Sequence, residues 1–307
     1  MGSAFIVAWL SASLRLAGPV LLAALGEIFA EQSGIVNIGI EGTMLLGALG
    51  SFVASYYTRI IWFGVLVAVL VGIAAGTVLA WMYVTARASQ IVAGLVFNLL
   101  ALGIASIVYR MALGNSSVPE SIPMFGPVHI RFVSALPLIG PVLFSQPALF
   151  YFTLILVIIA QFILFRTKFG LALRAAGENP AAADSAGISV SAMRYAGTLL
   201  SGAGAGMAGA YLVLAQVGLF RETIVAGQGF IALGIVIFGR WNPWKAALAA
   251  MVFGGCDALQ LSLQIFGPKV PAQLLLAFPY LVATLAVSGL LGKTVQPAAL
   301  MVPYVKE

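Results

Sequence analysis

The chain has 307 residues, is 62% hydrophobic and only 8% charged, and carries a formal charge of +6. A soluble domain is about one-quarter charged, so this chain cannot cover a water-facing surface, and a soluble enzyme is excluded. Its basic residues stand singly between apolar stretches, as the cytoplasmic anchors of a membrane protein do, rather than in the stripe that a nucleic acid needs. The expected fold class is an all-α membrane protein: one domain over 1–307, a polytopic bundle of about eight to ten transmembrane helices, some broken or re-entrant.

A hydrocarbon core about 30 Å thick requires about 20 apolar residues per helix. Segments near 4–24, 35–57, 61–84, 90–113, 147–165, 193–216, 222–239, 245–266 and 272–291 approach that length, about nine spans in all. The start lacks the basic leader of a cleaved signal. The basic stretch through Arg166, Lys168, Arg174 and Arg194 is placed in the cytoplasm. Alternation then puts the N-terminus outside. Arg87, Arg240, Lys245 and the tail with Lys293 and Lys306 fall inside, whereas Arg59, Arg110, Arg131, Arg221 and Lys269 fall outside.

Polar groups inside spans are costly and mark a bundle interior or a wet path. Glu41 and Asp257 lead here, with Asn37, Asn98, Gln216, Gln228 and Gln260. Glu41 lies in the glycine-broken stretch Ser33–Gly42, and a second interruption, Ala226-Gly227-Gln228-Gly229, opens the seventh span. Paired interruptions point to a central substrate path. Buried hydrogen-bonded struts are an equal alternative for Glu41 and Asp257. Phe97 and Phe230, beside these segments, are candidates for stacking on a base or sugar.

Between spans, residues 114–146 form an external loop rich in proline (Pro119, Pro123, Pro127, Pro137, Pro141). Residues 166–192 form the cytoplasmic loop. Within it, Asn179 is an N-cap, Pro180 suits the first helical position and Gly187 a C-cap, which predicts a surface helix of about two turns. Arg174, Glu178, Asp184 and Arg194 flank it. It is either a capped turn between spans or a docking element for a cytoplasmic motor.

Two nucleotide motifs fail on context. Gly204, Gly206 and Gly209 fit the dinucleotide fingerprint by letter, but they lie within an apolar span, where Gly202, Gly206 and Gly209 serve close helix packing. Gly292-Lys293-Thr294 lacks the phosphate-loop glycine five residues earlier, where Val287 stands. The single cysteine, Cys256, and single histidine, His129, supply no disulfide, metal site or nucleophile–base pair. No catalytic residue is assigned, and a membrane-embedded enzyme is set aside.

The run RAAGENPAAADSAGISV resembles the cytoplasmic coupling loop of binding-protein-dependent ABC transporter permeases, in particular the simple sugar and nucleoside branch. AALGEIFAEQSGIVNIGIEGTMLLGA, QIVAGLVFNLLALG and FPYLVATLAVSGL extend the likeness over nearly the whole chain. Asn37-Ile38-Gly39-Ile40-Glu41-Gly42 resembles the nucleoside version; ribose-type permeases carry an aspartate–leucine–serine variant. The resemblance implies a multi-pass subunit of the bacterial inner (plasma) membrane, part of an ATP-driven importer of a nucleoside or simple sugar. It has no cofactor of its own, because ATP binds the partner ATPase. Arg174, Glu178, Asn179, Pro180, Asp184 and Gly187 would couple to that ATPase. A substrate-binding protein on the outer side and a second permease subunit, identical or different, complete the assembly. Branched-chain amino acids are an alternative cargo. An ion-coupled transporter relaying through Glu41 and Asp257 is weaker, because paired buried charges are scarce in the sequence.

Overall fold

The computed structural model describes residues 2–114, 121–128, 139–266, 281 and 295–305. Its helices, in order, are α1 (Gly2–Gln32), α2 (Ile40–Thr58), α3 (Ile61–Ala80), α4 (Gln90–Leu113), α5 (Ile139–Leu143), α6 (Ala148–Arg166), α7 (Lys168–Glu178), α8 (Pro180–Ser185), α9 (Val190–Tyr211), α10 (Gln228–Phe238) and α11 (Pro243–Phe266). Wider π-helical turns, Trp81–Thr85 and Leu212–Val217, extend α3 and α9. Among the described residues the β pairing is confined to an isolated bridge between Pro127 and Pro147.

Among the described residues six helices are long and apolar enough to cross a membrane: Phe5–Gln32, Ile61–Thr85, Gln90–Leu113, Ala148–Arg166, Val190–Val217 and Pro243–Gln264. Several expectations are corrected in detail. The first span, placed at 4–24, runs on to Gln32, because Glu27 and Glu31 are buried rather than at a water interface. The segment at 35–57 becomes helical only from Ile40. The segment at 222–239 contains an 11-residue helix, α10, about 16 Å long and half the depth of a bilayer core. Apart from Leu281, the segment at 272–291 lies outside the described residues, as do His129, Arg131, Pro119, Pro137 and the Gly292-Lys293-Thr294 run.

The bundle is organised around α9, whose spanning window is 72% buried, against 28% for α4. Small residues make this possible. Gly202 lies against Gly72 and Gly76 of α3, and Gly206 against Ala68 and Gly72. Gly209 meets Met44 and Ala48 of α2, while Gly204 faces the opposite way, onto Leu22 and Gly26 of α1. A side chain at any of these glycines would collide with a neighbouring backbone, so three helices converge on α9 at close range. The letter match to a dinucleotide fingerprint is thus filled by protein on every side. At the other extreme, Leu99 and Met111 of α4 are 72% and 80% exposed, an apolar face suited to lipid or to another membrane protein.

The loop 166–192 is more helical than expected. Helix α7, amphipathic and capped by Thr167, which accepts from Gly170 N at 3.1 Å, precedes α8. Asn179 Oδ1 accepts from Ala182 N at 3.0 Å, and Pro180 takes the first helical position. Gly187, at φ +81°, closes α8: its N–H donates to Asp184 O at 2.9 Å, while Ile188 N donates to Ala183 O at 3.0 Å. This is the paired pattern of a Schellman ending. At six residues, α8 falls short of two full turns.

Candidate functional site: two broken helices that meet

Helix α1 ends at Gln32, and the chain turns back through Gly34, whose φ of +96° suits glycine. An irregular segment, 33–39, then climbs beside α1 before α2 begins. Backbone without helical bonding is tolerated at membrane depth only where protein or water satisfies it. Here three other side chains do so, and a fourth, Tyr83, holds the Asn37 side chain. Gln90 Oε1 accepts from Val36 N at 2.8 Å, and Glu27 Oε1 from Asn37 N at 2.8 Å. Asn98 Oδ1 accepts from Gly42 N at 2.8 Å, while its amide donates to Ile38 O at 3.0 Å. Tyr83 OH donates to Asn37 Oδ1 at 3.4 Å.

Asn37 stands at the centre of this arrangement. Its amide donates to Ser201 Oγ on α9 at 3.0 Å, and Ser201 Oγ donates in turn to Glu27 Oε2 at 2.6 Å. Asn37, Ser201 and Glu27 are all fully buried. One turn further along α1, Glu31 Oε2 accepts from Trp241 Nε1 at 2.6 Å, beyond the end of α10. The first break is therefore tied to α1, α3, α4 and α9 at once.

The second break descends from Gly218 to the start of α10. Gly227, at φ +85°, turns the chain into the helix, where its amide and the next ones point along the axis without helical partners. Glu41, in the first turn of α2, meets them: Gly227 N donates to Glu41 Oε1 at 2.7 Å and Gly229 N to Glu41 Oε2 at 2.8 Å. A carboxyl group at a helix N-terminus satisfies orphan donors and complements the positive end of the helix dipole. Both Glu41 oxygens are thus engaged with the backbone of the other break.

The structure brings together Asn37, Glu41, Asn98 and Gln228, all within the junction of the two breaks. Gln228 opens α10, and its Oε1 is buried without a protein partner. Asp257 lies elsewhere. Its neighbours Gly254 and Gly255 abut Ser13 and Trp9 of α1, near the opposite end of α1 from Glu27. Gln216 donates to Arg15 O at 2.9 Å, Gln260 is buried in α11, Phe97 is buried against α3, and Phe230 is 44% exposed beside Glu41. Sequence reasoning overlooked Glu27, Glu31, Tyr83, Gln90, Ser201 and Trp241. Two carboxylates four residues apart in an apolar run, hence on one helical face, were the legible signal for the first pair.

On the loop side, Arg174 lies over the Phe165 ring at 4.9 Å, and Glu178 Oε2 accepts from Ala298 N at 3.4 Å. Asp184 and Gly187 line a polar cavity of about 290 Å³ with Arg87, Ser189, Ser191 and Tyr304. Gly177, the last glycine of α7, abuts Gln32 and Gly34, so the loop touches the first break directly.

Several membrane-crossing helices, two interruptions that brace each other and a capped helix on a loop between spans define a multi-pass membrane transport component. The chain belongs to the family described as "branched-chain amino acid transport system / permease component", whose model matches residues 9–287. It is 36% identical to the guanosine ABC transporter permease protein NupQ of Bacillus subtilis, over 96% of this chain and 95% of that one. It is 39% identical to the nucleoside ABC transporter permease protein NupC of Lactococcus lactis, over 94% and 93%. It is 33% identical to a putative glucose ABC transporter permease protein, TsgC13, of Haloferax volcanii, over 99% of each. No solved structure matches the chain at a significant level. The chain is an integral membrane permease subunit of the ABC importer type, which works with ATPase and substrate-binding partners.

Proposed function

We propose that this permease carries a nucleoside across the membrane, with a simple sugar as the second reading. The observation that carries the proposal is the end-to-end similarity to permeases named for guanosine and for nucleosides. The sugar reading draws on the glucose permease relative, which is covered as fully at lower identity.

In this proposal the chain performs no covalent chemistry, and ATP is bound by a separate cytoplasmic subunit. A binding protein delivers substrate to the outer face, and a second permease subunit, the same chain or a different one, completes the path. Asn37, Glu41, Asn98 and Gln228 set the shape of the path where the breaks meet; Asp257 stands at another depth. The segment Arg174–Gly187, with α8 at its tip, receives the motion of the ATPase. Its caps keep so short a helix rigid, and its alanines allow a close approach.

The test is reconstitution with the cognate ATPase, permease partner and binding protein in vesicles. Labelled guanosine, adenosine, ribose, glucose and leucine are offered with and without ATP. Nucleoside uptake that requires ATP and is competed by unlabelled guanosine is the expected result. Preferential leucine uptake, or uptake that follows an ion gradient without ATP, overturns the proposal.

A further inference from the structure

The segment 295–305 returns to the bundle beside the coupling loop, and its bonds join parts of the molecule that are remote in sequence. Ala299 N donates to Gly177 O at the end of α7 at 2.9 Å, and Ala298 N to Glu178 Oε2 at 3.4 Å. Two residues on, Met301 N donates to Gly34 O, in the first break, at 3.0 Å. Val302 O accepts from Arg194 Nη1, at the foot of α9, at 2.9 Å. Tyr304 packs on the small apolar cluster of Ala176, Ala183 and Val190, which joins α7, α8 and α9.

We propose that this C-terminal strap, held by Arg194, carries motion of α8 into the first broken helix, and that Arg194 is its positioning residue. The inference rests on the permease reading above, and it adds a hydrogen-bonded connection to the direct contact of Gly177 with Gln32 and Gly34. The strap spans two adjacent bonds, one to Gly177 and one to Gly34, with a single residue between the donors. A shift of α7 and α8 therefore pulls directly on Gly34. From Gly34 the chain runs three residues to Asn37, which is fixed to Glu27 and Ser201. The break is the place where such a pull can be absorbed, because its backbone is held by side chains rather than by a helical ladder. Arg194 is 2% exposed, yet its Nε and Nη2 have no protein partner; Nη2 faces Gly34. Spare buried donors are costly in one fixed arrangement, and they suit a group that exchanges partners as the strap moves.

The experiment compares the full complex with two variants, one lacking residues 298–307 and one carrying Arg194→Gln. Hydrogen exchange across 33–42 is measured with and without a non-hydrolysable ATP analogue, alongside ATP hydrolysis and uptake. In the unmodified complex the analogue should change exchange in the break. In both variants that response should fall about tenfold while the ATPase still co-purifies. ATP consumed per molecule imported should rise by a similar factor. An undiminished response in either variant that assembles overturns the proposal, even if absolute uptake falls. Loss of the response in Arg194→Lys as well as Arg194→Gln supports the spacing of the fork as the requirement; rescue by lysine assigns the effect to charge at this position. If the unmodified complex shows the exchange response without ATP-dependent uptake, the function fails while the strap stands.

Discussion

The two interrupted helices are secured in opposite ways. Segment 33–39 is bound by Gln90, Glu27, Asn98 and Tyr83, which come from α1, from α4 and from the π-helical end of α3. The start of α10 is bound chiefly through one side chain, Glu41, which accepts from both Gly227 and Gly229. Redundant bonding gives the first break several holds, so that losing any one of them leaves it in place. Dependence on a single carboxyl group makes the second a joint that can be undone at one point. Glu41 follows the first break by two residues, so the multiply held segment also aims the anchor of the singly held one.

Substitutions can invert that contrast or sharpen it. The largest loss is expected for Glu41→Ala, which strands two amide donors in the bundle and costs about 3 kcal/mol or more. Thermal unfolding of the purified permease in detergent would register it, and Glu41→Gln, with one acceptor left, should fall between the two. Next comes Glu27→Ala, expected to cost about 2 kcal/mol, because Ser201 and Tyr83 still hold Asn37. A greater loss there than at Glu41 would reverse the ranking of the breaks. Gln90→Ala removes a single bond at the edge of the first break and should cost about 1 kcal/mol. The smallest effect is a coupling: Glu41→Ala and Gln90→Ala, acting on different breaks, should add to within about 0.5 kcal/mol. A larger departure would mean that the two breaks unfold as one unit.

Legibility in the sequence followed the range of the interactions. The caps of α8 were readable because Asn179, Pro180 and Gly187 act on backbone within four residues of themselves. Glycine positions 202, 206 and 209 announced close packing, though not which helices would meet there. The first span was read too short: Glu27 and Glu31 look like an interface while their partners are unknown, and those partners, Ser201 and Trp241, are 174 and 210 residues away. For Glu41 both a strut and a pathway group remained open from sequence. The fold gives it bonds to a helix start 186 and 188 residues on, and separates it from Asp257, with which it had been paired.

Composition alone fixed the solvent: with 8% charge this chain belongs in lipid, and its apolar runs, about 20 residues long, have the length of spanning helices, which satisfy their own backbone groups where lipid offers no partner. Local chemistry fixed the turns and caps for the same reason of short reach. The tertiary structure decided which of the few buried polar groups face one another. A hydrogen bond needs its two atoms within about 3 Å, and hydropathy carries no information on which distant helices will bring them there. That choice turned two glycine-marked interruptions into a braced junction, with one end held by several side chains and the other hanging from Glu41.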